Sequence, residues 1–204
     1  IKTRSTSLTP IIEAICNSMD AIESNQKDGY IEIVIKRDSQ PSLDLETEKI
    51  KSDIIGIDVI DNGVGFTSQN RDSFDTFRSG YKSKKGGKGF GRFMYLKYFR
   101  KVTIESTYKD ESGIFFYRSF SFGHDNEIIE NEVTNEITVV EKQATGSTVH
   151  LSSIISKDLD KGIDVIARKL VERLLAFFAI GNEYTPKIVI REEDNSESIT
   201  LNDY

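Results

Sequence analysis

The residue types best suited to chemistry fall at three places in the first half of the chain. Glu13, Asn17 and Asp20 are spaced i, i+4 and i+7, so on an α-helix they share a stripe about 60° wide. Ile11, Ile15, Met19 and Ile22 fall on the opposite side, so such a helix buries one face and presents three oxygen-bearing side chains from the other. An ordinary amphipathic surface helix reads the same way, but no Lys or Arg balances this stripe. Carboxylate and amide oxygens are hard-cation ligands, and magnesium takes one or two from a protein while phosphate oxygens and water complete its shell. A glutamate one turn before such a ligand can reach a water beside bound phosphates and act as general base.

The second place is Asp61-Asn62-Gly63-Val64-Gly65-Phe66, which follows the apolar β-branched run Ile54 to Ile60. Asn-Gly is also a strong signal for a tight hairpin turn. Two glycines two apart, however, let the backbone approach a flat ligand closely, and a carboxylate at a strand end accepts hydrogen bonds from an exocyclic amine such as that of adenine. The third place is the run from Gly80 through Lys82, Lys84, Gly86, Gly87, Lys88, Gly89, Phe90 and Gly91 to Arg92, leading into a helix. Backbone N–H groups of a glycine-rich loop at a helix N-terminus cradle phosphate oxygens, and lysines neutralise them. The spacing is neither that of a Walker loop nor that of a Rossmann fingerprint.

Elsewhere the composition is bland. The chain has 204 residues, 37% of them apolar and 29% charged, with a net charge of −6. These proportions exclude a disordered chain, and no apolar run approaches the roughly 18 residues of a membrane span. One cysteine, Cys16, permits no intrachain disulfide, and with only His124 and His150 beside it the chain lacks the makings of a zinc site. A reducing compartment, the cytoplasm, is expected. The acidic balance conceals a basic stretch: nine of the 27 Lys and Arg residues lie between Arg78 and Lys101, with no Asp or Glu among them. Alone it would read as a solvated cationic face. Its aromatics Tyr81, Phe90, Phe93, Tyr95, Tyr98 and Phe99 also allow a nucleic-acid-binding reading by base stacking, although helical spacing after Phe90 directs most of them to a core.

The elements that must position these residues follow from periodicity and punctuation. Thr9-Pro10 starts a helix that runs to about Ser24. Strands are expected at Tyr30 to Arg37 and Ile54 to Ile60, with a loop or irregular hairpin end over residues 38–52 around Pro41. A helix from Phe90 to Tyr98 precedes strands at Val102 to Tyr108, Ile114 to Phe122, Glu136 to Val140 and Ser147 to Leu151. A helix over Ile163 to Ala179 and strands at Lys187 to Arg191 and Ser198 to Leu201 close the chain. This order predicts an α/β two-layer sandwich, a mixed and mostly antiparallel sheet with helices on one face. Residues 1–204 read as a single domain, expected to be the N-terminal part of a longer protein, and the start at Ile1 rather than Met suggests an excised or processed piece.

In order and separation, these motifs resemble the nucleotide site of the GHKL ATPases, the Bergerat-fold group that holds gyrase, the ninety-kilodalton heat-shock chaperone, histidine kinases and MutL. The resemblance is carried by Glu13-Ala14-Ile15-Cys16-Asn17-Ser18-Met19-Asp20-Ala21, by Asp61-x-Gly63-x-Gly65, by Gly86-Gly87-Lys88-Gly89-Phe90-Gly91, and by Gly146-Ser147-Thr148-Val149, with Ser147 where the family usually has threonine. It implies ATP and Mg2+ as cofactors, Glu13 as the base that activates water, Asn17 as the metal ligand, and Asp20 and Ala21 beside it in the nucleotide site. It further implies Asp61 as the adenine anchor, Gly63, Gly65 and Phe66 as the surface under the base, and Lys82, Lys84 and Gly86 to Gly91 as a phosphate lid. Ser147 or Thr148 would support the adenine through Asp61 or a bridging water.

Histidine kinases of this fold generally lack the glutamate four residues before the asparagine, so Glu13 favours the hydrolase branch. Motif spacing is similar to the chaperone and MutL branches, and the Gly-Lys-Gly-Phe-Gly-Arg-Phe stretch to little-characterised prokaryotic ATP-binding relatives. The expected function is magnesium-dependent ATP hydrolysis in which lid closure drives homodimerisation or domain rearrangement, with ATP and ADP as ligands and nucleic acid engaged, if at all, through other domains. An ATP-gated clamp with little hydrolysis of its own is the alternative, because a cation that reaches the γ-phosphate cannot be assigned in this chain.

Overall fold

The computed structural model describes residues 5–25, 28–43, 50–75, 91–123, 129–156, 158–180 and 185–204. In chain order the described elements are α1 (Leu8–Asn25), β1 (Tyr30–Leu43), β2 (Ile50–Asp61), α2 (Ser68–Asp75), α3 (Gly91–Tyr98), β3 (Phe99–Lys109), β4 (Phe115–Phe122), β5 (Ile129–Glu136), β6 (Gly146–Ile154), α4 (Ile163–Ile180), β7 (Lys187–Glu192) and β8 (Ser198–Thr200), with 3-10 turns at Val140–Lys142 and Leu201–Asp203. The eight strands form one sheet in the order β5-β4-β3-β6-β2-β1-β7-β8. Only β1 and β7 run parallel; every other neighbouring pair is antiparallel. The expected α/β class, a mixed and mostly antiparallel sheet covered by helices on one face, is the observed one.

The core lies between that sheet and α1, α3 and α4. Ile11, Ile15 and Ile22 of α1, Tyr95 of α3, and Ile166, Leu170 and Leu174 of α4 are buried against Ile31, Ile33, Ile57, Val59, Ile104, Phe120, Leu151 and Ile190 of the strands. Strict alternation of buried and open positions along β4 and β6 produces this one-sided burial. Each such side chain contributes about 1.5–3 kcal/mol relative to exposure. No helix among the described residues is long and apolar enough to cross a membrane.

Three expectations are corrected. Over residues 38–52 the loop expectation gives way to the irregular hairpin end: β1 continues to Leu43 and β2 begins at Ile50, paired Pro41↔Ser52 and Leu43↔Ile50 after register shifts flanking Arg37. Pro41 is tolerated because β7 flanks β1 only from Tyr30 to Ile35, so the extension is an edge where a missing N–H breaks no ladder on its outer side. The strand expected at Glu136 to Val140 lies earlier, at Ile129–Glu136, and Val140–Lys142 is a 3-10 turn. As an edge strand with residues 131–136 exposed, β5 needs no apolar alternation and therefore shows none. The first helix begins at Leu8, not after Thr9: the Thr9 hydroxyl reaches back to accept the Thr6 N–H at 3.0 Å, and Pro10 sits third in the helix. One short helix, α2, goes unforeseen although Thr67 caps it by accepting the Asn70 N–H at 3.2 Å.

Ile57 is fully buried in β2, while Ile55, two residues away, is 49% exposed. Replacing Ile57 with Ala is expected to lower stability by about 2–5 kcal/mol, against less than about 1 kcal/mol for Ile55→Ala, read from paired thermal melts followed by circular dichroism.

Candidate nucleotide site

The sheet carries one buried polar row. Asp61 on β2 pairs with Ser147 on β6, Ser147 with Ser106 on β3, and Ser106 with Arg118 on β4, so all four stand in register on the helix-covered face. All four are buried. The adjoining row, Val59, Val149, Ile104 and Phe120, is wholly apolar. Buried polar groups are costly unless bonded, so a row of them at one end of a hydrophobic sheet depends on the hydrogen bonds its members make.

Asp61 is the centre of that row. Its Oδ2 accepts from the Ser18 hydroxyl of α1 at 2.9 Å and its Oδ1 from the Gly63 N–H at 2.8 Å. Burial pushes its carboxyl up to about 6, outweighing the hydrogen bonds from Gly63, Ser18 and Ser147 that favour the ionised form. These donors are all neutral, so among the described residues the carboxylate is solvated by the protein but not balanced by a cation.

The turn after Asp61 is pressed onto α1. The Val64 N–H donates to the Ala21 carbonyl at 3.2 Å, and a Cβ on Gly63 would stand 2.6 Å from the Ala21 Cβ, so only glycine allows this approach. Gly65 has φ +78°, and a Cβ there would lie 2.3 Å from the Thr107 carbonyl oxygen; both conformation and space require glycine. Asn62 fixes the turn to the strands by accepting the Tyr30 N–H at 2.8 Å and donating to the Asp28 carbonyl at 2.9 Å. β2 pairs with β1 and β6, and the Asn62-Gly63 turn leads on into α2, so the hairpin alternative is excluded. The Phe66 N–H donates to the Ser106 hydroxyl at 2.8 Å, and its ring meets Phe120 edge-on at 5.5 Å between centroids.

The expected stripe on α1 borders this turn. Glu13, Asn17 and Asp20 are each half-buried. Asn17 Nδ2 lies 3.4 Å from the Tyr95 hydroxyl as donor, so its carbonyl oxygen is the atom suited to ligate a cation. Burial raises the Tyr95 hydroxyl well above the usual phenol range, and the nearby Glu13 carboxylate pushes the same way. Among the described residues no group of three or more His, Cys, Asp or Glu side chains is placed to hold a metal ion. One amide oxygen suits magnesium, which draws most of its ligands from water and phosphate.

The structure thus brings Ala21, Asp61, Gly63 and Ser147 together against α1, with Gly65 and Phe66 on the same turn. Thr148 does not join them: it pairs with Ile60 and Glu105, on the sheet face away from the helices. There it lines an open cleft of about 250 Å³ whose walls include Ile60, Glu105, Thr107 and Tyr117 and which borders Asp61 and Ser147. Of the expected lid, Lys82, Lys84, Gly86, Gly87, Lys88, Gly89 and Phe90 lie outside the described residues, and Gly91 opens α3. Tyr95, Tyr98 and Phe99 are buried and do not offer the stacking surface that the nucleic-acid reading required. Sequence reasoning missed Ser18, Ser106 and Arg118. Ser18 adjoins Asn17 in the motif and could have been found there; the other two are revealed only by strand register. No family model and no curated protein matches the chain by sequence.

A carboxyl whose folded value lies above its unfolded value of 3.8 holds its proton longer in the folded state, so its contribution falls as pH rises from about 4 through 6. Asp61→Asn keeps the shape and removes this term. The variant is expected to be more stable than wild type above pH 6, by about 1–3 kcal/mol, with the difference vanishing near pH 4. Urea unfolding of both proteins across that range measures it; a constant offset would be the contrary result.

Proposed function

We propose that the chain is a magnesium-dependent ATPase module of the GHKL type. The observation that carries this reading is the buried Asp61 at the end of β2, bonded among the described residues to neutral donors alone, beside two glycines that admit no side chain and with a serine opposite it in register. A purine amine is a donor of the right kind for such a carboxylate: it is neutral, directional and removable. Gly65 and Phe66 supply the flat surface against which the base would lie. Glu13 and Asn17, one turn apart on the helix that Ser18 ties to Asp61, support the placing of the reaction above this anchor. Asn17 would hold the magnesium ion, which supplies charge neutralisation at the phosphates. Glu13 would take the proton of the attacking water.

The lysine and glycine run 82–91 is the proposed phosphate lid. Homodimerisation or domain docking on ATP binding, and a cytoplasmic location for a chain with one cysteine, belong to the same proposal.

Isothermal titration with Mg-ATP should show 1:1 binding that Asp61→Asn weakens by at least tenfold, about the loss expected for a hydrogen bond to a charged group. Affinity should also fall below pH 6, because protonating Asp61 removes the acceptor. Glu13→Ala is expected to keep binding while turnover drops by about 10²–10⁴. Absence of adenine-nucleotide binding by the wild-type chain at millimolar concentration would refute the reading.

A further inference from the structure

Arg118 ends the buried polar row, and its guanidinium donors are used on groups that carry the turn. Nη1 donates to the Phe66 carbonyl at 2.9 Å and to the Thr67 carbonyl at 3.3 Å, and Nη2 donates to the Tyr108 hydroxyl at 3.1 Å. The guanidinium carbon lies 4.7 Å from the centre of the Tyr108 ring. On its outer side, Nε faces the Thr134 hydroxyl at 3.4 Å and the Glu132 carboxylate at 3.5 Å. Glu132 in turn accepts from Arg71 of α2, Nη2 to Oε2 at 2.7 Å. Arg118 is only 7% exposed, where a sheet built for stability alone would carry another Phe120.

The two carbonyls that Arg118 holds belong to the residues immediately after Gly65. The N–H of the first of them is held from the other side by Ser106. The Phe66 peptide is therefore gripped at both ends, donor by a serine and acceptor by an arginine, directly beside the left-handed glycine. A planar five-donor fork can hold two successive carbonyls and a hydroxyl at once; an ammonium group has no fixed fork with which to do so.

We propose that Arg118 is a positioning residue for the ligand. By holding the Phe66 and Thr67 carbonyls it fixes the height and tilt of the Gly65–Phe66 surface relative to Asp61, and Glu132 orients its guanidinium from the edge strand β5. The inference rests on the adenine-nucleotide reading above, but concerns a residue outside every motif that suggested it. Because Arg118 acts on the surface under the base and not on the reacting phosphate, its loss should appear in binding and leave the chemical step alone. A merely structural arginine would give a lower melting temperature without that division.

The test compares Arg118→Met, Arg118→Lys and Glu132→Gln with wild type by Mg-ATP and adenosine titration, by kcat and KM, and by hydrogen exchange of the Phe66 amide. Arg118→Met should weaken ATP and adenosine by the same factor, at least about tenfold, the scale of one lost charge-assisted hydrogen bond. Its kcat at saturation should stay within about threefold, and its Phe66 amide should exchange faster. Arg118→Lys should fall between Met and wild type, and Glu132→Gln should weaken binding by no more than about threefold, since the two carbonyl contacts survive. If the Met variant does not fold, the Lys variant decides, and unchanged binding by it overturns the proposal. So does a Met variant that folds and binds within twofold of wild type, or one that loses kcat while keeping KM; either leaves the ATP reading standing. A wild-type chain that binds neither ATP nor adenosine removes both.

Discussion

A buried carboxylate with no cation against it among the described residues is the constraint around which this fold is arranged. Asp61 sits 8% exposed, its donors among the described residues are all neutral, and burial wins over them, pushing its carboxyl up to about 6. An arrangement that disfavours the charge of the free protein persists only where the surroundings over-determine it. Here they do: Ser18 comes from α1, Gly63 from the turn and Ser147 from β6, so three elements must be in place at once. Removing any one would leave the remaining oxygen atoms under-bonded in a place water does not freely reach, which ties the position of α1 to the register of β2 and β6.

Two aspartates three residues apart on β2 show how completely the two faces of the sheet differ. Asp58 points away from the helices, where Lys36 lies 2.6 Å from one oxygen and His150 Nδ1 lies 2.9 Å from the other. Burial pushes its carboxyl up, but the bonds to His150 and Lys36 more than reverse that, and it stays below the usual range. The same face carries the Arg191–Glu32 pair at 3.0 Å. That partly exposed pair contributes about 0–1 kcal/mol, whereas the Asp58 carboxylate is itself buried and depends on its bonds to Lys36 and His150. Asp61 has none of this company. Both carboxylates are buried, and their separation of three along the strand is what sends one to the paired outer face and the other to the polar row under the helices.

Legibility in the sequence followed the range over which each feature is determined. Helix α1, its polar stripe and the Asp61-x-Gly63-x-Gly65 turn were readable because helical phase, a strand-ending carboxylate and glycine spacing are local properties. The opposition of Ser147 to Asp61 was readable only through the family resemblance, and strand register shows why Thr148 does not share it. Ser106 and Arg118 were not readable: a serine and an arginine in alternating strands look like solvent-facing residues until their partners are known. β5 and the outer half of the first hairpin failed for the opposite reason, since edge strands wet on both faces have no apolar period to read.

The buried row also explains why the turn could not be a hairpin despite its Asn-Gly pair. A tight hairpin would hand the chain directly back to a neighbour of β2, yet both neighbouring places are taken, by β1 and by β6. The chain must leave the sheet at Asp61, and it does so with its backbone polar groups committed in sequence: the Asn62 N–H to Tyr30, Val64 to Ala21, Phe66 to Ser106, and the Phe66 and Thr67 carbonyls to Arg118. A segment so bonded is rigid without being regular. Glycine at 63 and 65 gives the two close approaches, and the Asn25 amide and Ala21 carbonyl of α1, with Ser106 of β3 and Arg118 of β4, supply partners that a β-ladder would otherwise have provided. The surface this leaves beside Asp61 is backbone held in place by its neighbours, a fixed arrangement that a flexible loop lacks.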